Sequence, residues 1–417
     1  METLSFINYV ISLLFFLCYS YQILYIPIKI FSFKKRKDEN VEKKNYAVLI
    51  CARNEEKVIA ELIDSIHQQT YPQKKITIFV MADNCDDDTE RIAREKGAIT
   101  YSRRDRVLVG KGYALDTMLK SIGREYKDQF DGYFVFDADN ILKENYIEEM
   151  NKIFVAGNDI VTSYRNSKNY DSNWISAGYG LSFLRESQFL NGARYAINSS
   201  CAVSGTGFLV SRAIIEEQKG WPFYTLTEDI EFSIYHITAG RKIAYCEKAM
   251  FFDEQPVRFT QSIHQRLRWS KGYIQVFGLY GKKLILNSLK GSFSCFDMLM
   301  NSIPALMLSI ISIVLNIVLS INAAIGGNDY MIALKSIFQL FFNMYLTLFV
   351  LGLITTITEW KNIYTGNKKK ILYLFTFPIF MFTYIPISLA ALFLKVSWKP
   401  IEHGTDRKNL GGLIKNV

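Results

Sequence analysis

The six cysteines, Cys18, Cys51, Cys85, Cys201, Cys246 and Cys295, form no CxxC pair and no Cys/His cluster. This excludes a disulfide scaffold and a structural zinc site, and it suits a reducing compartment. Charged residues are sparse at 21%, and acids are the scarcer sign, with 40 Asp and Glu against 49 Lys and Arg. The positive excess forms no stripe interleaved with aromatics, so nucleic acid is set aside as a partner. It gathers beside apolar runs instead, as membrane electrostatics favours. Two phosphate and metal loops are also missing. Asp105 stands where a P-loop ending at Gly110-Lys111 needs its first glycine, and Leu142 stands where a calcium loop starting at Asp137 needs its turn glycine. Aromatic residues, by contrast, reach 14%, which excludes a disordered or low-complexity chain.

Apolar residues concentrate in four charge-free stretches, Thr3–Ile28, Met298–Ile325, Ser336–Thr358 and Ile371–Leu394. Each exceeds the roughly 20 helical residues that cross a bilayer core. The first lacks a basic leader and is followed by Lys34-Lys35-Arg36-Lys37 rather than a small-residue cleavage site, so it reads as a retained anchor. That run, with Lys43 and Lys44, places the following residues in the cytoplasm. The expected division is an anchor over 1–33, a cytoplasmic domain over 34–290, membrane helices over 291–396 and a basic tail over 397–417, in an integral protein of the plasma membrane. The closing topology stays open. Lys361 and Lys368-Lys369-Lys370 before the last stretch, and Lys395, Lys399, Arg407 and Lys408 after it, give both flanks a cytoplasmic character, and Pro378 and Pro386 allow a broken or re-entrant segment.

Within the cytoplasmic part, β-rich runs (Tyr46–Ile50, Ile76–Met81, Tyr133–Phe136, Asp159–Tyr164) alternate with helical patterns. The clearest helix is expected over Glu55–Gln69, with Val58, Ile59, Leu62, Ile63 and Ile66 on one face, and another from Asp88 to Gly97. Alternation of this kind predicts an α/β fold with a mostly parallel sheet and a ligand crevice at the carboxyl ends of its strands. Polar motifs follow three strands: Ala52-Arg53-Asn54-Glu55-Glu56, Asp83 to Asp88, and Asp137-Ala138-Asp139. Any one alone is equally a solvated turn. Together they point to one crevice.

Asp137 and Asp139 suit a hard divalent cation that keeps positions open for phosphate, so Mg²⁺ or Mn²⁺ is expected. Gly110-Lys111-Gly112 offers backbone amides and an ammonium to a phosphate. Thr227-Glu228-Asp229 and Gln265-Arg266-Leu267-Arg268-Trp269 add acid, base and aromatic. A carboxylate there, desolvated and repelled by like charge, becomes a useful general base. A helix N-cap accounts equally for the first of these, and an interfacial helix with a Trp anchor for the second.

The ordered set Ala52–Glu56, Asp83, Gly110–Gly112, Asp137–Asp139, Thr227–Asp229 and Gln265–Trp269 resembles the family-2 glycosyltransferases. It looks most like their membrane-bound polysaccharide synthases, the group with cellulose, hyaluronan and poly-N-acetylglucosamine synthases, and closest to the exopolysaccharide-type bacterial branch. The resemblance covers roughly residues 45–280. It implies an inverting GT-A transferase of hexosyl or N-acetylhexosaminyl type using a nucleotide sugar, with uridine the expected base. By position, Asp83 would bind the nucleobase, Asp137 the ribose or phosphate region with a share in the metal, and Asp139 the metal. Lys111 would touch the diphosphate, and Ala52, Arg53, Asn54 and Glu55 would border the donor. Asp229 would be the general base with Glu228 beside it. Gln265, Arg268 and Trp269 would border the acceptor and the leaving nucleoside diphosphate, and Gly205-Thr206-Gly207 would line the acceptor pocket, though a tight strand accounts equally for those glycines. The leading expectation is extension of a polysaccharide; transfer of a single sugar to a membrane lipid and a non-catalytic scaffold are the alternatives.

Overall fold

A computed structural model of the chain describes residues 2–32, 41–302, 311–312, 314–318, 321, 325, 330–398, 400–401 and 403–404. The run Lys34-Lys35-Arg36-Lys37, much of the 298–325 stretch, and Lys399, Arg407 and Lys408 lie outside the described residues.

The strands are β1 (Tyr46–Ala52), β2 (Ile76–Asp83), β3 (Ile99–Arg103), β4 (Gly132–Asp137), β5 (Ile141–Leu142), β6 (Ile160–Ser167), β7 (Phe208–Ser211) and β8 (Ala244–Asp253). They form one sheet in the order β3-β2-β1-β4-β7-β6-β8-β5. The β3-β2-β1-β4 half is parallel, β7 runs antiparallel to both neighbours, and β6 and β8 are again parallel. The helices in chain order are α1 (Glu2–Phe31), α2 (Ile59–His67), α3 (Thr89–Glu95), α4 (Lys111–Glu125), α5 (Tyr146–Val155), α6 (Trp174–Arg185), α7 (Gly192–Ala196), α8 (Arg212–Gln218), α9 (Glu228–Thr238), α10 (Phe259–Leu289) and α11 (Phe293–Ser302), followed by helices over Tyr330–Thr358, Asn367–Phe382 and Tyr384–Phe393.

β1 and β4 are apolar along nearly their whole length because both sheet faces are covered. The side chains alternate accordingly. Ala47 and Leu49 of β1 join Phe79 and Met81 of β2 against Leu115 and Met118 of α4, while Val48 and Ile50 join Val80, Phe134 and Phe136 against Leu62, Ile63 and Ile66 of α2. The helix expected from Glu55 starts only at Ile59. Asn54 takes a left-handed φ of 57°, and the Glu55 N–H donates to Thr89 Oγ1 at 2.8 Å, so the segment after β1 is held as a loop against the one after β2.

Two segments beyond this unit, Phe341–Thr358 and Asn367–Phe393, are long and apolar enough to cross a membrane, and Phe16–Phe31 is a shorter apolar stretch. The expected break near the prolines falls at Thr383, between the helices 367–382 and 384–393. Arg266 of α10, fully buried, fills it by donating to the Phe380 carbonyl at 3.3 Å and to the Thr383 hydroxyl. α1 docks through Tyr21, whose hydroxyl donates to Asp297 of α11 at 2.6 Å; Asp297 also pairs with Arg194 of α7 at 2.5 Å, and both partners are buried. These contacts hold α1 against α7 and α11, and the helices 367–382 and 384–393 against α10.

Candidate active site

A cavity of about 750 Å³ opens at the carboxyl ends of β1, β2 and β4 and runs between α6, α9 and α10 toward the helices 330–358, 367–382 and 384–393. Of the residues singled out in the sequence, Ala52, Arg53, Glu55, Asp83, Lys111, Asp137, Asp139, Gly205, Glu228, Asp229, Gln265, Arg268 and Trp269 line it. Asn54 does not. It is exposed, and its Oδ1 accepts from the Asp86 N–H at 2.8 Å, tying the two strand-end loops together.

Asp83, at the end of β2, is buried and paired with Arg103 of β3 at 2.7 Å. Burial raises its pKa and the guanidinium partly offsets that. Lys111 opens α4 and donates to Asp137 and, at 2.7 Å, to the Gly205 carbonyl. Gly112 serves packing: a Cβ there would lie 2.0 Å from the Phe223 carbonyl oxygen and 3.5 Å from Glu228 Cβ, so α4 can approach the loop before α9 only with glycine. Asp139, buried, accepts from the Glu254 N–H at 2.7 Å.

Glu228 and Asp229 start α9. Burial, then the charge of Asp229, pushes Glu228 up to about 7, against the pull of Lys111 and Arg268. Burial raises Asp229 as well, and Lys111 and Arg268 oppose it. α10 reaches this pair closely. A Cβ on Gly272 would lie 2.4 Å from Thr227 Oγ1, and Arg268 donates to the Leu226 carbonyl at 2.7 Å. Trp269 stands edge-on to Tyr179 and Phe183, with ring centroids 5.7 and 6.3 Å away.

Several further residues line the cavity. Asp253 ends β8 and pairs with Arg165 of β6; its other oxygen is buried without a partner. Burial pushes Asp253 up to about 6, and Asp139 adds to this. The rule applied to Asp137, an acid closing an apolar run, would have found it after Met250-Phe251-Phe252. Trp398, Pro400, Ile401 and His403, all within the stretch 397–417 expected to be a basic tail, also line the cavity. Arg53 lies over the Trp398 ring at 5.0 Å, and His403 Nδ1 is 3.0 Å from Glu55. Burial opposes a charge on His403, but Asp139, Glu55 and Glu254 outweigh it and push the imidazole up to about 10.

Among the described residues no group of three His, Cys, Asp or Glu closes around a metal by itself. The donor set fits an ion of another kind. Asp137 and Asp139 would offer such an ion two hard oxygen ligands, with the unpartnered Asp253 oxygen a further buried acceptor near Asp139.

The family model for glycosyltransferase like family 2 matches residues 44–272, more than half of the chain. The chain belongs to this family. Its sequence is similar to a probable glycosyltransferase, YdaM, of Bacillus subtilis, at 24% identity over 274 residues, 60% of this chain and 62% of that protein. It is also similar to a beta-monoglucosyldiacylglycerol synthase of Trichormus variabilis, at 26% identity over 265 residues, 61% of this chain and 54% of that protein. The aligned regions therefore span little more than half the length of these relatives. Among solved structures, a mannosyltransferase of Pyrobaculum calidifontis in complex with GDP-Man and Mn²⁺ superposes with a TM-score of 0.58 at 14% identity, covering 92% of this chain and 98% of that one. This likeness shows the fold, and the mixed, mostly parallel sheet of this family-2 glycosyltransferase is of the GT-A type.

Proposed function

We propose that this family-2 glycosyltransferase moves a sugar, with inversion, from a nucleoside-diphosphate donor to an acceptor hydroxyl that arrives from the membrane side, and that the product is a growing polysaccharide. The convergence of Asp83, Asp137, Asp139, Lys111, Glu228 and Asp229 on one cavity carries this reading. Asp83 and the loop from Ala52 to Glu55 would hold the nucleoside end, with UDP-sugars the first donors to test. Asp137 and Asp139 would hold Mg²⁺ or Mn²⁺, which when bound neutralises charge on the diphosphate.

Asp229 takes the proton of the acceptor hydroxyl. The oxygen bonds to the anomeric carbon as the bond from that carbon to the phosphate oxygen breaks, and the electron pair leaves with the diphosphate. Lys111 and Arg268 supply fixed positive charge on that side, which counts most where water is excluded. Glu228, raised by burial and by the charge of Asp229, holds a proton more readily than an exposed glutamate, and in that state it leaves the charge of the pair to Asp229. The apolar spans anchor the protein, in our reading in the plasma membrane with the catalytic unit in the cytoplasm.

One observation favours the second reading, transfer of a single sugar to a lipid. Met344, Leu348, Met381, Phe382 and Ile385, from the two apolar segments and the start of the helix 384–393, wall the far end of the cavity. The test is a donor screen on membranes containing the protein, with UDP- and GDP-sugars and Mn²⁺, followed by sizing and linkage-specific digestion. A labelled chain supports extension and a labelled lipid of fixed size supports the second reading. No transfer from any donor refutes both.

A further inference from the structure

Between α6 and α7 the helix widens into a π-turn over Glu186–Asn191. Such insertions cost helix stability and recur at functional sites. The residue that opens this turn, Glu186, lines the active cavity. Phe183, Trp269 and Tyr273 line the same cavity, and Arg165, which pairs with the strand-end Asp253, lies in the field of Glu186. One carboxylate oxygen accepts from the Ser204 hydroxyl, and among the described residues no cation forms an ion pair with it.

Ser204 fixes where this carboxylate stands relative to the proposed base. Its carbonyl is held by Arg165 at 3.0 Å. The next residue, Gly205, has a left-handed φ of 81°, and a Cβ there would lie 3.6 Å from Asp229 Oδ2. Glu186 and Asp229 thus flank the same short segment, and Tyr273 of α10 lies in the field of both carboxylates. Trp269 adds an aromatic surface, and Gln265 an amide whose oxygen is buried without a partner. An aromatic plane beside a carboxylate is the chemistry that receives a sugar ring, with its C–H face on the ring and its hydroxyls on the acid. Arg165 and Arg185 share the field of Glu186, so what selects the acceptor is the carboxylate's capacity to accept hydrogen bonds and not a net negative charge.

We propose that Glu186 binds the acceptor by accepting a hydrogen bond from a second hydroxyl of a neutral sugar, while Asp229 takes the proton of the reacting one. A lipid with a single hydroxyl, or a lipid phosphate, leaves the second oxygen of Glu186 without a sugar hydroxyl to accept from. The sugar end belongs to a polysaccharide chain or to a glycolipid headgroup, which share this chemistry. The inference rests on the transferase reading above.

The full-length protein in nanodiscs, with the donor found active in the screen, is assayed with octyl β-glucoside, cellobiose, octanol and octyl phosphate, and for transfer to water. The wild type is expected to prefer one or both sugars to octanol and to octyl phosphate. Glu186→Gln should lose about five- to tenfold in kcat/KM for the sugars, mainly through KM, because its amide oxygen accepts without the charge that strengthens the bond. Its donor hydrolysis and its transfer to octanol should stay within about twofold. Cellobiose as the better acceptor assigns the sugar to a polymer end and octyl glucoside to a glycolipid; either supports the proposal. Unchanged acceptor selectivity in Glu186→Gln, or a wild type that prefers octanol or octyl phosphate, overturns it while leaving the transferase reading intact. A wild type that turns over no donor, even to water, overturns both. If Glu186→Gln fails to fold, Ser204→Ala replaces it. Removing the hydroxyl that orients the carboxylate should raise KM for the sugar several-fold with kcat retained, and an unchanged KM refutes the assignment.

Discussion

Glu228→Gln should make the protein more stable at alkaline pH and leave it unchanged in mild acid. Glu228 is only 8% exposed, and burial beside Asp229 raises it from 4.5 to about 7. The folded state therefore binds a proton that the unfolded chain has already released between those two values, and stability falls as pH rises through that window before levelling off above it. A displacement of this size corresponds to on the order of 3 kcal/mol. Glutamine keeps the shape without the titration, so the variant should gain about that much above pH 8 and almost nothing near pH 4.5. For a cooperative unit the size of the 44–272 region, the gain is roughly 6–12 °C in Tm. The assay is thermal unfolding of both proteins in one detergent across pH 4.5–8.5, followed by the fluorescence of intrinsic tryptophan. A Tm difference independent of pH, or one that grows toward acid, would refute the argument that burial dominates this carboxyl.

Three further outcomes follow from packing. Gly112→Ala puts a methyl 2.0 Å from a backbone oxygen, which no rotamer relieves; a loss of about 3 kcal/mol or more is expected, together with donor affinity, measured by denaturation and by calorimetry with nucleotide and Mn²⁺. Gly272→Ala presses on Thr227 at 2.4 Å and should lower kcat at least about tenfold while donor Kd moves less than about twofold, because it displaces the acid pair and not the strand ends. Arg194→Met strands the buried Asp297 that joins α1, α7 and α11; it should cost about 3–5 kcal/mol, and Arg194→Met with Asp297→Leu should recover much of that loss in a melting assay.

The half of the fold that was legible in the sequence is the half whose strands are buried on both faces. β1, β2 and β4 stand out as short apolar runs because helices cover them on either side. β3 is half-buried at the sheet edge, and the pairing of β8 with β6 skips from Cys246 to Met250, past Glu247 and Lys248, two exposed charges that interrupt an otherwise apolar strand; neither strand carries a clean apolar run. Acids directly after strands mark the proposed donor side, since strand direction aims them at one crevice. The proposed acceptor side is assembled from a π-turn, a loop and α10, which meet only in space, so Glu186 and Arg165 have no linear signature. Arg266 shows the same limit: within Gln265–Trp269 it is the arginine that is buried against the Thr383 break, whereas Arg268 lines the cavity.

In the proposed reaction Asp229 removes the acceptor proton while Asp83, Asp137 and Asp139 hold the donor. Asp229→Asn keeps the side chain's size and removes its basicity. The direct measurement pairs calorimetry of nucleotide and Mn²⁺ binding with transfer of labelled sugar by the same purified variant. Donor binding within about twofold of wild type and transfer reduced at least about a hundredfold are expected, the scale of a lost general base. Full transfer by Asp229→Asn would contradict the account.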